Sequence, residues 1–482
     1  MFNHEQNMMI DRIVRELEES NFAIFAGAGL SAPAGYVNWK DLLRPLSMEL
    51  NLDIDKETDL VSLAQYYVNE NNGHSRLIER LIDEIGIARE PTINHKLLAK
   101  LPISTYWTTN YDDLIEKSLD DEGKLADKKF AKNHLSQTRK GRSAIVYKMH
   151  GDASVAHEAI ITKDQYESYP LHFAPFVTAL SGDLVSKTFL FLGFSFTDPN
   201  LDYILSRIRI HFEKNQRQHF CIFKKVNQSD YDNEEDFKYN ELKQKFIIKD
   251  LGRFSIKVVL IESWIDLTFI LEEITKRFRC KNVFLSGSAH EFGSWEQSST
   301  EICLSRLGEI LIQEGLKITS GLGVGIGNAF ISGAIKEIYD RKYSKIDDYL
   351  TMKVFPQFVE DPTERKKIWS LWRKDLLSQA GIALFFMGNK VIKDPITGTT
   401  SIVLADGMEE EFQIAKELGL KIIPIGASGY KAKELFDRVM VDFDQYYPNA
   451  TTQFREAFIK LDEVVEEPIH LLSKIQNVIK LI

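Results

Sequence analysis

Short apolar segments that end in glycine or polar residues recur along this 482-residue chain, and segments of helical periodicity separate them. In the first half these segments are FAIFAG, ISTYWTTN, AIVYKMHG, KTFLFLGFS, HFCIFKK and IKVVLIE. In the second half they are NVFLSGS, LKITSGLGVGIG, LTMKVFP, GIALFFMGN and KIIPIG. Strands that alternate with helices build parallel sheets covered by helices. The sequence therefore predicts an α/β protein.

Two series of strands indicate two domains. The helical segment DLTFILEEITKRF ends the first series, and the second series begins at Asn282. We predict two Rossmann-like parallel-sheet domains, residues 1–278 and 281–482, each long enough to bury its own core. The charged segment 119–143 is predicted to be a surface loop before the next strand.

Net charge, cysteine spacing and the length of the apolar runs argue against several classes of protein. A formal net charge of -10 argues against a nucleic-acid partner, which usually leaves a basic footprint. The three cysteines, Cys221, Cys280 and Cys303, lie too far apart for a zinc knuckle and suit a reducing cytoplasm. The N-terminal segment has the pattern of a charged amphipathic helix, not of a signal peptide, and no apolar run approaches the roughly 20 residues that span a bilayer. We expect a cytoplasmic protein with no membrane partner and no metal.

The first apolar segment ends in a glycine loop with the spacing Gly27-x-Gly29-x-x-Ala32. This spacing satisfies the permissive Rossmann pattern, in which glycine lets backbone N–H groups approach a phosphate. A tight turn without a ligand is the alternative. A dehydrogenase would also need an acidic residue about 20 positions later at a strand end. The segment MELNLDIDKETDL does not supply it, so hydride transfer is not supported.

Three further strand ends carry polar side chains. They occur in WTTNYDDLIE, YKMHGD and FLGFSFTDPNL. Ligands of open α/β sheets bind at the carboxyl ends of the strands, so we expect these residues to converge on one crevice. The residues are Asn110, Asp112, Asp113, His150, Gly151, Asp152, Gly193, Ser195 and Asp198.

In this order, the segments GAGLS, TTNYD, MHGD and GFSFTDPNL resemble the motifs of the sirtuin-type NAD-consuming fold, over roughly residues 10–270. The resemblance implies that the first domain binds NAD+ and breaks its nicotinamide–ribose bond. It implies that Asn110 and His150 are catalytic. The NAD+ contacts that it implies are Gly27, Ala28, Ser31, Asp112, Gly193 and Ser195.

The chain departs from the protein deacylases of that family. They insert a four-cysteine zinc module after the histidine, whereas this domain contains Cys221 alone. The expected acceptor is therefore water, with no zinc and no cofactor beyond the substrate NAD+. Asn110 would fix a ribose hydroxyl or order the water, and His150 would act as general base. Tyr36 and Trp39 either cover the nicotinamide or pack in the core.

The second domain has its own glycine loops, in FLSGSAHEFG and ITSGLGVGIGNA. The second loop does not satisfy the Rossmann pattern, but consecutive N–H groups still form an anion-binding concavity. With the segment GMEEEFQIA, residues 281–480 resemble the SLOG nucleotide sensors related to lysine-decarboxylase-like enzymes. Enzymatic members carry a PGG-x-GT-x-x-E loop, where this chain has LADGMEEE. We therefore expect binding without turnover.

The two domains in this order resemble the NAD-cleaving effectors of the bacterial Thoeris anti-phage system. The resemblance implies activation by a cyclic ADP-ribose isomer from a TIR-domain partner protein, and a homotetramer or larger assembly. Arg373 and Lys390 would meet the pyrophosphate of this signal and Glu411 a ribose hydroxyl. Alternatively, these are a solvated helix arginine, a loop lysine and a glutamate favoured by a helix N-terminus. The implied signal pocket comprises Gly287, Ser288, Leu322, Phe355, Arg373, Lys390, Gly407 and Glu411.

The leading hypothesis is an NAD+ hydrolase that a nucleotide signal switches on to deplete NAD+ in abortive defence. A non-catalytic nucleotide sensor that acts as a scaffold is one alternative, against which the presence of both Asn110 and His150 argues. An NAD-dependent protein deacylase is another, against which the missing zinc cysteines argue.

Overall fold

The computed structural model describes residues 2–342, 345–353, 355–356, 359–394 and 398–482. The chain divides into two compact units, Met1–Thr275 and Lys276–Ile482. The domains predicted from the sequence are 1–278 and 281–482. Within the described ranges, no helix combines the length and the apolar character that a bilayer crossing requires.

Unit 1 is built on a seven-stranded sheet with the order β3-β4-β2-β1-β5-β6-β7. Every neighbouring pair of strands is parallel. The chain leaves β1 toward β2 on one side and later places β5 on its other side, so the carboxyl end of β1 is a topological switch point where ligands bind. The strands are β1 Phe22–Ala26, β2 Thr105–Thr108, β3 Ala126–Lys129, β4 Ala144–Lys148, β5 Thr188–Leu192, β6 His219–Lys224 and β7 Ile256–Ile261.

Helices surround this sheet. The N-terminal helix begins at a capping box formed by Asn3 and Gln6 and buries Met9, Ile13 and Leu17, as its amphipathic pattern predicts. The helices are α1 His4–Glu18, α2 Ala28–Ser31, α3 Trp39–Glu49, α4 Leu60–Asn71, α5 Ser75–Ile85, α6 Ile93–Lys100, α7 Leu114–Asp121, α8 Lys132–Leu135, α9 Lys163–His172, α10 Ala174–Ser186, α11 Pro199–Phe212, α12 Glu234–Leu251 and α13 Trp264–Arg279.

The prediction of a surface loop over 119–143 is wrong in part. This segment contains the edge strand β3, which pairs with β4, and the short helix α8. Asp127 and Lys129 of β3 are buried as an ion pair 2.8 Å apart. Charged residues are common on edge strands, so a search for apolar segments does not detect this strand.

Unit 2 contains a second parallel sheet, with the order β10-β9-β8-β11-β14, and a separate hairpin of β12 and β13. Its predicted strands are present, although Val354 of the segment LTMKVFP lies outside the described residues. The hairpin was not predicted, because its apolar runs are only two and three residues long and all but one of its strand residues are exposed or half-buried. The strands are β8 Asn282–Ser288, β9 Lys317–Ser320, β10 Leu350–Met352, β11 Ile382–Met387, β12 Asn389–Lys393, β13 Thr400–Leu404 and β14 Lys421–Pro424.

Two helices of unit 2 pack unusually closely through glycines. A Cβ atom added at Gly333 would lie 1.8 Å from the carbonyl oxygen of Ser305, and one added at Gly308 would lie 2.2 Å from that of Phe330. The backbones of α14 and α15 therefore touch. The helices are α14 Gln297–Gln313, α15 Gly327–Asp340, α16 Ile346–Tyr349, α17 Pro362–Ser378, α18 Asp406–Glu417, α19 Tyr430–Val441, α20 Phe443–Tyr446, α21 Thr452–Ile459 and α22 Leu471–Lys480.

Substituting Gly333→Ala should lower the free energy of unfolding of unit 2 by roughly 1–3 kcal/mol, because α14 and α15 must separate. The matched control is Gly182→Ala in α10, where an added Cβ meets no atom within 4 Å. That control should be neutral or stabilise by up to about 1 kcal/mol through helix propensity. Urea unfolding followed by circular dichroism measures both, and losses of equal size would contradict the close-packing argument.

Candidate functional site

The glycine loop after β1 packs directly on the loop after β5. A Cβ atom at Gly27 would lie 2.5 Å from the carbonyl oxygen of Gly193, and one at Gly193, whose φ is +62°, would lie 2.1 Å from the nitrogen of Leu30. The amides of Gly27 and Gly29 donate to the carbonyls of Leu192 and Gly193, each at 2.9 Å. These glycines thus allow the two backbones to touch. Because the amides of Gly27 and Gly29 donate to protein carbonyls, they are not open to a phosphate, contrary to the interpretation of this loop as a phosphate-binding turn.

Asn110, just beyond β2, is tied to the same glycine loop. Its Nδ2 atom donates to the carbonyl oxygen of Gly27 and to Oγ of Ser31, each at 3.0 Å. Its backbone amide donates to Oγ1 of Thr108 at 2.9 Å. Across the described part of the chain, the amide oxygen of Asn110 has no hydrogen-bond partner. The carboxamide is therefore held rigidly with its acceptor left over for a ligand.

A small cavity of about 50 Å³ adjoins Asn110. Pockets for drug-sized ligands measure roughly 300–1,000 Å³, so this cavity must widen before a dinucleotide enters. Burial, followed by the charges of Asp112 and Asp113, raises the pKa of Tyr36 to about 12, so this lining phenol is neutral. The cavity is lined by Ala28, Ser31, Tyr36, Val37, Asn38, Trp39, Leu42, Ile85, Thr109, Asn110, Tyr111 and Asp112.

The two neighbouring aspartates after β2 have different roles. Oδ1 of Asp112 accepts a hydrogen bond from the amide of Leu114 at 3.1 Å, at the start of α7, while the residue also lines the cavity. Asp113 is half exposed and pairs with Lys117 at 3.2 Å. Of the two, only Asp112 is placed to serve both the helix and a ligand.

His150 lies at the same sheet edge as Asn110. In the register of β2 and β4, Thr108 pairs with Lys148, so Asn110 and His150 each stand two residues beyond this pair. The imidazole is buried, and His150 is not one of the residues that line the cavity. Ser195 is exposed, with its hydroxyl 2.8 Å from that of Thr197, and is not brought to the cavity either.

The imidazole of His150 lies between a phenol and a carboxylate. Nδ1 is 3.3 Å from the hydroxyl of Tyr166, and Nε2 is 3.2 Å from Oδ2 of Asp198. Nε2 is nevertheless not aligned for a hydrogen bond and has no such partner among the described residues. Burial lowers the pKa of His150 and the charge of Asp198 opposes this effect, so the ring is neutral near pH 7 and able to accept a proton.

A buried lysine that sequence analysis missed joins the two strand ends. Nζ of Lys148 donates to the carbonyl oxygen of Tyr111 at 2.9 Å and to that of Asp112, and it lies 2.7 Å from Oδ2 of Asp152. Burial opposes the charge of this lysine, but the carboxylates of Glu116 and Asp152 outweigh it and raise the pKa of Lys148. A lysine inside the apolar segment AIVYKMHG is the signal that could have revealed it.

In unit 2, the predicted signal residue Arg373 is buried, so the interpretation as a solvated helix arginine is wrong. Its Nη1 atom lies 2.6 Å from a carboxylate oxygen of Glu410, and its Nε atom lies 3.3 Å from one of Glu411. The guanidinium group also stands 4.9 Å from the centre of the Phe355 ring. Glu410 was not predicted, because its role follows from the packing of α17 against α18.

Glu411 and Gly407, on α18, complete this cluster. The hydroxyl of Ser286, in β8, donates to Glu411 at 2.5 Å. Burial raises the pKa of Glu411, although this hydrogen bond and Arg373 oppose the shift. A Cβ atom at Gly407 would lie 2.7 Å from Nη2 of Arg373, so a larger residue there would displace this guanidinium group. The predicted residues Phe355, Arg373, Gly407 and Glu411 are therefore brought together.

The remaining predicted signal residues surround the carboxyl end of β8. A Cβ atom at Gly323 would lie 1.9 Å from the carbonyl oxygen of Gly287, so the loop that contains Leu322 packs on this strand end. The hydroxyl of Ser288 donates to the carbonyl oxygen of Asn389 at 3.0 Å. Lys390 is partly exposed and pairs with Asp406.

Unit 1 thus carries an asparagine and a histidine at neighbouring strand ends of a parallel sheet, and unit 2 carries an arginine–glutamate cluster among glycine loops. A sirtuin-like domain followed by a SLOG-type nucleotide-binding domain has this construction. The SIR2-like domain family matches residues 104–247, and the Sir2- and TIR-associating SLOG family matches residues 266–482. In the described ranges, no group of three or more histidine, cysteine, aspartate or glutamate side chains could hold a metal ion.

Relatives with known names are similar to this chain over nearly its whole length. A protein of Acinetobacter baumannii named NAD(+) hydrolase ThsA is 82% identical over 100% of both chains. Proteins of the same name from Bacillus cereus and Enterococcus faecium are 43% identical over 98% of both chains, and 40% identical over 98% of this chain and 100% of the relative. The chain belongs to the ThsA family of NAD(+) hydrolases. The predictions of fold class, family and enzyme class are confirmed.

Replacing Lys148 with methionine should lower the free energy of unfolding by about 3–5 kcal/mol, because it leaves buried carboxylates without a counter-charge. Lys128→Met is the matched control. Lys128 also contacts Asp152, at 2.9 Å, but is 31% exposed and leaves Lys148 in place. The Lys128→Met variant should lower the free energy of unfolding by only about 1 kcal/mol. Urea unfolding compares the two variants, and an equal loss would show that Lys148 does not join the strand ends.

Proposed function

We propose that Asn110 and His150 carry the hydrolysis of NAD+ to nicotinamide and ADP-ribose, with water as the acceptor. The family supplies the reaction and its substrate. The assignment of residues rests on one observation, the matching positions of Asn110 and His150 beyond the paired residues of β2 and β4. The neutral, buried imidazole suits a general base.

The proposed roles of the two residues follow from the charges that develop as the glycosidic bond breaks. As the glycosidic bond breaks, its electron pair moves to the ring nitrogen of nicotinamide, and the ribose carbon develops oxocarbenium character. The oxygen of a water molecule then bonds to this carbon, and its proton passes to His150. The acceptor oxygen of the Asn110 carboxamide holds a ribose hydroxyl or this water, which removes the entropic cost of bringing the reactants together.

We further propose that unit 2 binds a cyclic ADP-ribose isomer made by a TIR-domain partner protein, and that binding switches on depletion of NAD+ in anti-phage defence. The matching family is described as associated with TIR domains, which supports such a partner. The buried guanidinium of Arg373 is a suitable ligand for a pyrophosphate, which would compete with the carboxylates of Glu410 and Glu411. The small cavity at Asn110 supports a resting state that must open.

A homotetramer or larger assembly is the proposed form of the protein. On α12, the apolar side chains of Tyr239, Leu242 and Phe246 are exposed at helical spacing, so they share one face. An apolar face of this kind is typical of a subunit contact. Sedimentation velocity of the full chain gives the number of subunits directly.

The Asn110→Ala and His150→Ala variants should each release nicotinamide from NAD+ at least 100-fold more slowly than the parent, because general-base catalysis and positioning contribute on the order of 10²–10⁴-fold. Purified protein is mixed with NAD+, with and without cyclic ADP-ribose and its linkage isomers, and nicotinamide is quantified by chromatography. A parent protein that releases no nicotinamide under any of these conditions would refute the proposed function.

His157→Ala is the matched control for His150→Ala. His157 lies in the same segment, but its side chain is 72% exposed. This variant should retain the parental rate. A fully active His150→Ala variant would remove the proposed role of the imidazole while leaving the hydrolase activity itself intact.

The Arg373→Gln variant should raise the concentration of cyclic isomer needed for half-maximal activation by roughly 10–100-fold, the value of a charge-assisted hydrogen bond. Lys374→Gln, which removes the same charge from the exposed neighbouring position, should leave it unchanged. Titration of NAD+ hydrolysis against the isomer measures both variants. Equal effects would indicate a general loss of positive charge rather than a contact made by Arg373.

A further inference from the structure

The two carboxylate oxygens of Asp198 contact different groups. Oδ1 accepts hydrogen bonds from the amides of Asn200 and Leu201, each at 3.0 Å, and so caps the N-terminus of α11. Oδ2 lies 3.2 Å from Nε2 of His150. The helix therefore fixes the carboxylate beside the imidazole, and the positive end of the helix dipole favours its negative charge.

Nε2 of His150 has no hydrogen-bond partner among the described residues, although Oδ2 of Asp198 lies only 3.2 Å away. A neutral imidazole carries one N–H group and one lone pair. Nδ1 lies 3.3 Å from the hydroxyl oxygen of Tyr166, so these two groups share one hydrogen bond in either tautomer. A protonated imidazole carries an N–H group on both nitrogens, so Nε2 then has a hydrogen to donate to Oδ2 of Asp198.

The other titratable groups around His150 do not compete with Asp198. The rings of Tyr166 and Tyr169 lie with their centres 5.0 and 6.3 Å from that of the imidazole, and burial raises the pKa of both phenols, so they are neutral. Lys148 and Asp152, on either side of His150 in the sequence, pair with each other at 2.7 Å. Asp198 is the charge that the ring faces.

We propose that Asp198 is a positioning residue that acts through His150, as the counter-ion that lets this buried ring accept a proton. When the proton of the attacking water reaches the ring of His150, the neutral imidazole beside a carboxylate becomes an imidazolium–carboxylate pair. The N–H group on Nε2 then has Oδ2 as acceptor, after a small rotation of the ring. Without this charge, a cation would have to form in a buried site with no compensation. The inference rests on the proposed role of His150 as base.

The test is Asp198→Asn, because asparagine caps a helix as well as aspartate but has no charge. We expect kcat for NAD+ hydrolysis to fall about 100-fold with little change in KM, since the base is weakened only when charge develops. Because Asp198 raises the pKa of His150, its removal lowers this pKa further. The acid limb of the pH profile of kcat/KM should therefore move to lower pH.

Two further variants separate this role from a structural one. Asp202→Asn removes an exposed carboxylate from the first turn of the same helix and should leave both rate and pH profile unchanged. Asp198→Ser retains a capping hydroxyl without charge and should reproduce the shifted acid limb, even if one Asp198 variant folds poorly. Rates are measured with or without cyclic isomer, whichever condition gives the parent its highest activity.

The outcomes are distinguishable. A lower rate with an unmoved acid limb, or a kcat within twofold of the parent, overturns the role of Asp198. An inert His150→Ala variant together with a parental Asp198→Asn variant refutes this inference alone. An active His150→Ala variant refutes the proposed base itself.

Discussion

The positions of both candidate catalytic groups depend on one buried charge, the ammonium group of Lys148. From the last residue of β4 it binds the carbonyl of Tyr111, next to Asn110, and it pairs with Asp152, just beyond His150. Loops at strand ends are otherwise among the more mobile parts of a fold. A desolvated ammonium group, whose partners would be costly to leave unpaired, restrains both loops together. The geometry of the site is thus set by a buried charge at the carboxyl ends of β2 and β4.

Both units place buried charged groups at the carboxyl ends of central strands and satisfy them with their own side chains. In unit 1, the carboxylate of Asp198 faces the imidazole of His150, and in unit 2, Arg373 is held by Glu410 and Glu411. An ionic group that has a partner costs less to bury than an unpaired one, and it can exchange that partner for a ligand. Each site therefore holds charged groups that a bound ligand can contact.

The sequence predicted the central strands well, because strands buried on both faces are nearly continuous apolar segments. It failed at the sheet edges. The edge strand Ala126–Lys129 buries a pair of opposite charges, and the hairpin of Asn389–Lys393 and Thr400–Leu404 is exposed or half-buried except at Asn389, so neither contains a long apolar segment. The glycines of the first loop were found, but the sequence could not show that Gly27 and Gly29 are required by the backbone of Gly193.

The sequence by itself determined the α/β class and the order of the polar strand ends, and it singled out Asn110 and His150 as candidate catalytic residues. These features are local, since each follows from residue type and from spacing along one segment. Only the tertiary structure decided which groups hold these residues. The contacts of His150 with Asp198, and of Ser286 with Glu411, join residues 48 and 125 positions apart. Contacts of about 3 Å between such distant residues depend on strand register and helix packing, which no local pattern encodes.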